Sequence, residues 1–176
     1  MLAAAGGVGQ LVTQMVKAAG GRVIGLVSRQ EKTEAAAAAG ADHVLISSGG
    51  GFQDTVRELT GGRGADVVYD NGGTATFSSS QLALRCHGVH AFYGNLMGVP
   101  TLQPTDLPVS ILLTYPQVFD HVPDQDSLRA RVGDVFDLVV NGDLTPSIGR
   151  RYDLADAPQA HHDLASRRTT GKLLLP

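Results

Sequence analysis

The sequence predicts an α/β protein, a doubly wound parallel sheet with helices on both faces. Three observations predict it. Short apolar strands alternate with amphipathic helices along most of the 176 residues. A glycine-rich turn, Ala3-Ala4-Ala5-Gly6-Gly7-Val8-Gly9, opens the first helix almost at the start of the chain. Small-residue turns then recur after successive strands, at Ser28, Asn71-Gly72-Gly73 and Gly94-Asn95, which a parallel sheet brings to one edge.

The elements follow in order. Only Met1–Ala5 remain to form a first strand, which is therefore truncated. Val8, Leu11, Val12, Met15, Val16 and Ala19 recur at helical spacing, and Gly20-Gly21 stop that helix. Gly21–Val27 reads as a second strand, Glu31–Ala39 as an alanine-rich helix closed by Gly40, and His43–Ile46 as a third strand. Phe52–Leu59 is a helix, Ala65–Asp70 a fourth strand, Phe77–Leu84 a helix and Gly88–Tyr93 a fifth strand. After a proline-containing loop, Val109–Thr114 is a sixth strand. Leu128, Val132, Val135, Phe136 and Val139 give the next helix one apolar face, and Asn141-Gly142 end it. Residues 1–142 thus form one Rossmann-type domain. Residues 143–176 do not continue the pattern simply: a strand over Leu144–Tyr152, a short helix over Leu154–Ala165 and a final strand over Lys172–Leu175 read as a tail that packs on something else.

The glycine turn carries chemistry. Ala4, Gly6 and Gly9 stand at the spacing of G-x-G-x-x-G with alanine in the first place, which suits a dinucleotide pyrophosphate lying on a helix N-terminus. At the end of the second strand an acidic residue selects NAD and a basic one NADP. Here Ser28, Arg29 and Lys32 stand there with no acid directly at the strand end, which favours NADP(H). The plainer alternative makes Arg29 and Lys32 solvated charges beside Glu31 and Glu34.

Composition bounds the rest. A net charge of -3 and a pI near 6.0 give no basic stripe for nucleic acid. The lone cysteine, Cys86, supports no disulfide framework and fits a reducing cytoplasm; no signal peptide or membrane-length apolar run is present. Cys86 and the six histidines show no metal-ligand spacing, so no metal is expected. None of Tyr69, Tyr93, Tyr115 and Tyr152 has lysine four residues on, which removes the short-chain dehydrogenase pattern. Asp66 and Asp70 read as strand-start and strand-end residues rather than as a catalytic pair.

The segments AAAGGVGQ, VIGLVSRQEK, GADHVLI, GRGADVVYDNGG, FYGN, VFDLVVNGDL and SRRTTGKLLLP together resemble the C-terminal part of the zinc-independent quinone oxidoreductases of the medium-chain dehydrogenase/reductase superfamily. The resemblance implies a reductase that passes hydride from NADPH to a quinone or an activated enone. It assigns Gly6, Gly7, Val8 and Gly9 to the pyrophosphate, Ser28 and Lys32 to the 2′-phosphate, Tyr93, Gly94 and Asn95 to the nicotinamide side, and Arg167 to the cofactor. With Arg29, Ser47 and Asn71 these are the expected cofactor-binding residues; the catalytic residues are not identified. Ser47 replaces a tyrosine of the family, Tyr93 a phenylalanine, and Tyr115 the arginine of a T-R-P sequence. The family's N-terminal catalytic domain is absent, so the tail is expected to return to that missing domain and the isolated chain to turn over poorly. The alternatives are a non-catalytic NADPH-binding module and an enoyl reductase domain of a larger synthase; the compact ending GKLLLP reads as a natural C-terminus against the latter. A homodimer through the apolar sixth strand is a further expectation.

Overall fold

The computed structural model describes residues 1–166 and 168–176. Its elements are α1 (Gly7–Ala18), β1 (Ile24–Val27), α2 (Thr33–Ala38), β2 (His43–Ile46), α3 (Gln53–Leu59), β3 (Ala65–Asp70), α4 (Thr74–Leu82), β4 (Leu84–Phe92), β5 (Leu112–Thr114), α5 (Val118–His121), α6 (Gln125–Val140), β6 (Ile148–Arg151), α7 (Ala157–Ala165) and β7 (Lys172–Leu174). All pairings between strands are parallel: β1 with β2, β3 with β4, β4 with β5, and β6 with β7.

The chain start stitches the first two groups together. The Met1 amine donates to the Ile24 carbonyl (2.8 Å), Leu26 N–H to Met1 (2.9 Å) and Ala4 N–H to Leu26 (3.0 Å). On the other side Leu2 N–H donates to the Tyr69 carbonyl (3.0 Å). Residues 1–4 therefore lie between β1 and β3, and the order β2, β1, chain start, β3, β4, β5 is that of a Rossmann-type sheet. This segment is no regular strand. Ala3 sits at φ 49 and receives Gly6 N–H at 2.9 Å, so the backbone is already turning.

Side-chain alternation sets the two faces. Leu26 and Val68 join Leu2, Phe52, Val56, Ala83 and Leu84 in one cluster, beneath α3 and α4. Val27 joins Ala4, Ala5 and Ala36 in the other, beneath α2. Gly25 lies on that second face, where a Cβ would meet the Ala4 methyl at 2.9 Å.

Several boundaries depart from those expected. The second strand begins at Ile24, not Gly21, because the Asp42 carboxylate takes Val23 N–H (2.7 Å) out of the ladder. The helix expected from Glu31 is a 3₁₀ turn over Gln30–Lys32 leading into α2. The helix expected from Phe77 starts at Thr74, set by Gly73 at φ 83, and ends at Leu82. The fifth strand starts at Leu84, four residues before Gly88, and absorbs a bulge at His87 (φ 60), where pairing jumps from Ala65↔Leu84 to Val67↔Val89. The sixth strand shrinks to Leu112–Thr114, and the strand expected from Leu144 to Ile148–Arg151. Helix α6 forms as its periodicity indicates, yet none of its residues is buried; Phe136 and Val140 are 63% and 83% exposed.

The tail docks on the glycine turn. Gly171 pairs with Gly6 and donates to the Ala5 carbonyl (3.1 Å). Gln14 of α1 clamps Thr145 in both directions, accepting from its N–H (2.6 Å) and donating to its carbonyl (3.1 Å).

Candidate functional site

A cavity of about 150 Å³ runs along the carboxyl edge of the sheet, lined among others by Gly6, Ser28, Lys32, Ser47, Asn71 and Gly72. Parallel topology explains the gathering, since each of these residues follows or ends a strand or opens a helix at that edge. Gly6 caps α1 in extended backbone (φ -78, ψ 165). No side chain caps the helix and no acidic residue stands in its first turn, so its N–H groups and positive dipole end are left for an anion. Of two glycines in the turn, Gly9 is sterically required and Gly7 packs closely against a flexible side chain. A Cβ on Gly9 would strike the Ala3 carbonyl oxygen and come within 2.8 Å of Ala4 Cα; one on Gly7 would come within 2.7 Å of Lys172 Cδ. Gly7 and Gly9 thus pack the turn from behind rather than line the cavity, and Val8 is half exposed.

Ser28 and Lys32 stand together at one end of the groove. Burial, aided by the neighbouring Arg29 charge, holds the Lys32 amine below the usual lysine range. Ser47 turns inward on its own loop: its hydroxyl donates to the Gly49 carbonyl (2.7 Å) and accepts from Gly49 N–H (3.3 Å). Arg29 does not join this groove. It lines a separate cleft with Arg150, His162, Asp163, Ser166 and Arg168. Arg167 lies outside the described residues.

At the other end Asn71 and Gly72 meet Leu96 and Met97. The turns after β3 and β4 are bonded to each other: Gly72 pairs with Asn95, Leu96 N–H donates to Asn71 (3.2 Å) and Met97 N–H to Gly72 (2.8 Å). Gly94 packs on Asn71, where a Cβ would approach the Asn71 Cβ at 3.1 Å. Tyr93, Gly94 and Asn95 therefore support the groove wall that Asn71, Leu96 and Met97 present.

Beneath this wall lies a cluster that sequence reasoning missed. Asp70 is fully buried, and its carboxylate accepts from Gly72 N–H (2.7 Å), Thr76 Oγ1 (2.7 Å) and Ser80 Oγ (2.6 Å), with His90 Nε2 at 3.3 Å. Burial alone pushes this carboxyl up, but the hydrogen bonds from His90, Ser80, Gly72 and Thr76 outweigh it and hold Asp70 below the usual carboxylate range. The Tyr93 hydroxyl is buried without a partner, and burial together with the Asp70 charge pushes it up to about 12. The missed signal was the spacing of Thr76 and Ser80, four residues apart and so on one face of α4.

Among the described residues no group of three or more His, Cys, Asp or Glu side chains is placed to hold a metal ion. No helix among them is long and apolar enough to cross a membrane.

Comparison with known proteins converges on one family. The model of the family described as zinc-binding dehydrogenase matches residues 7–122. Among the described residues no group of three or more His, Cys, Asp or Glu side chains offers the zinc of that description a set of donors. A 2-haloacrylate reductase of a Burkholderia species is 36% identical over 98% of the chain and 53% of its own length. A quinone oxidoreductase of Pseudomonas aeruginosa is 36% identical over 98% of the chain and 54% of its own length. A mycobacterial protein solved in complex with NADPH superposes with a TM-score of 0.92 at 40% identity, covering 99% of this chain and 56% of that one. The chain spans about half the length of the curated relatives it matches. The family model covers more than half of the residues, and the chain belongs to the zinc-binding dehydrogenase family.

Proposed function

We propose that this chain is the NADP(H)-binding part of an oxidoreductase that transfers hydride to a quinone or an activated enone. The observation that carries the reading is the single groove joining an uncapped, glycine-opened helix to Ser28 and Lys32. A pyrophosphate suits the helix N–H groups at Gly6, which no side chain caps, and a 2′-phosphate suits the Lys32 end, a compact cation site with the Ser28 hydroxyl beside it. The names of the relatives support the acceptor class, since a quinone and a 2-haloacrylate are both electron-poor alkenes conjugated to a carbonyl.

The bound nicotinamide supplies the hydride. The protein's own part is to hold the two phosphate-bearing ends and to shield the ring with the Asn71–Gly72 and Asn95–Met97 wall. The Tyr93 hydroxyl, kept protonated by burial, adds no negative charge to that wall.

In this reading residues 143–176 form the tail that returns to an N-terminal catalytic domain, which supplies the other wall of the acceptor site. The exposed residues of β6, and the exposed apolar residues of α6 just before the tail, support it. Turnover by these 176 residues alone is expected to be poor, and the single cysteine suits a cytoplasmic setting.

Fluorescence titration of the chain with NADPH and NADH tests the cofactor. NADPH is expected to bind more tightly, and Lys32→Ala to lower NADPH affinity about tenfold while leaving NADH nearly unchanged, from the loss of one charge-assisted contact. Equal affinity for the two nucleotides in the unaltered chain overturns the NADP(H) assignment.

A further inference from the structure

We propose that Asp70 is a positioning residue for the nicotinamide end of the groove, setting the Asn71–Gly72–Gly73 turn directly and the Gly94–Asn95 turn through it. The inference rests on the NADP(H) reading above and deepens it.

The two carboxylate oxygens divide the work. Oδ1 accepts from Gly72 N–H and from Thr76 Oγ1, both at 2.7 Å; these groups belong to the turn and to the first residues of α4 that follow it. Oδ2 accepts from Ser80 Oγ (2.6 Å) and faces His90 Nε2 (3.3 Å), which lie deeper; Asp70, Ser80 and His90 are each 0% exposed. The deeper pair fixes the carboxylate, and the fixed carboxylate then fixes the turn.

The turn has little other freedom. Gly73 is at φ 83, and a Cβ there would strike the Gly98 carbonyl oxygen; a Cβ on Gly72 would strike Thr76 Oγ1. What holds Gly72 in place is therefore its N–H bond to Asp70 on one side and its carbonyl bond to Met97 N–H (2.8 Å) on the other. Gly72 pairs with Asn95, so the restraint passes to the turn after β4. Asn71, Gly72, Leu96 and Met97 all line the groove at the end away from Ser28 and Lys32. With the pyrophosphate at Gly6 between the two ends, this far end is where the nicotinamide lies.

A buried charge is a costly way to hold a core together, since well-packed apolar groups stabilise as much or more. Its advantage here is directional: four donors converge on one carboxylate beneath a ligand-lining turn. The arrangement matches a shell that preorganises a site from below.

The test uses the 176-residue chain and two ligands. NADPH spans the whole groove, whereas 2′,5′-ADP occupies only the adenosine end. Calorimetric titration of Asp70→Asn is expected to show NADPH weakened about tenfold and 2′,5′-ADP changed by less than about twofold, as for the loss of charge-assisted hydrogen bonds at one end only. Thr76→Val, which keeps the carboxylate and removes one Oδ1 donor, shifts the same ratio in the same direction and decides the matter if Asp70→Asn does not fold. Hydrogen exchange at the Gly72 and Met97 amides, measured without ligand, is expected to accelerate in either variant. Equal weakening of both ligands, or unchanged NADPH affinity, overturns the inference and leaves Asp70 a purely structural residue. Failure of the unaltered chain to bind either ligand strikes the cofactor reading itself, and that result is read from the unaltered chain alone.

Discussion

Gly9 shows how a single residue joins fold and site. Its missing side chain lets the first turn of α1 press against the Ala3 carbonyl and Ala4 Cα. Both obstacles are backbone, so a methyl group there cannot be accommodated by a rotamer change. Gly9→Ala is expected to cost roughly 1–3 kcal/mol, the range for forcing a methyl into a packed interior, and to displace the turn that faces the pyrophosphate. Urea unfolding and NADPH titration on the same variant check both effects; wild-type stability removes the packing argument. The glycine pattern was legible in the sequence because its spacing reports steric need directly. Asp70 was not, because a strand-end aspartate looks the same whether it faces solvent or collects four hydrogen bonds. Arg29 stands next to Ser28 in sequence but lines the other cleft, a placement that sequence adjacency does not report.

Among the elements, existence and type were largely legible, the short helix α5 being missed, and edges were not. Apolar alternation and periodicity depend on burial, which local sequence encodes, and helix α6 and strands β2 and β3 fall where the pattern puts them. Edges depend on single bonds from afar. Asp42 shortens β1 by taking Val23 N–H. The bulge at His87 lengthens β4 through Arg85-Cys86-His87, a polar run that no strand pattern contains; Arg85 is held there by Asp66 (2.6 Å), which Arg63 also grips. Strand β5 carries the next consequence. Among the described residues it pairs only with β4, and Leu112 and Leu113 are 63% and 41% exposed. An apolar open edge of this kind invites pairing with a second copy. We propose a homodimer through β5; sedimentation at increasing concentration is expected to show it, and Leu113→Lys to return the chain to a monomer. A monomer at high concentration for the unaltered chain removes the proposal.

At the scale of the whole fold, the isolated 176-residue chain, whose Met1 amine is free, is expected to have a stability that depends on pH. The Met1 amine fills the position of a strand N–H, donating to Ile24 beside an apolar-walled cavity of about 600 Å³ that Leu26, Phe52, Val56 and Val68 help to line. Burial lowers this amine from 8.0 to about 6, against a smaller opposing pull from Asp70. Between these two values the unfolded chain holds the proton and the folded chain does not. Unfolding therefore takes up a proton, and stability rises as pH rises from 6 to 8. The contribution is complete above the unfolded value and lost as pH falls through the folded one, on the order of 2–3 kcal/mol for a shift of this size. The carboxylates act in a separate range. Asp66, held down by Arg63 and Arg85, and Asp42, held down by Lys17 and Val23 N–H, contribute above the ordinary carboxylate value and lose that contribution only in acid. Acetylating the α-amine isolates its share, because it removes that proton site and leaves every side chain in place. Urea unfolding at pH 6, 7 and 8 is expected to show a rising midpoint for the free amine and a flatter profile for the acetylated chain. Parallel profiles would show that the amine reaches water and carries no share of the pH dependence.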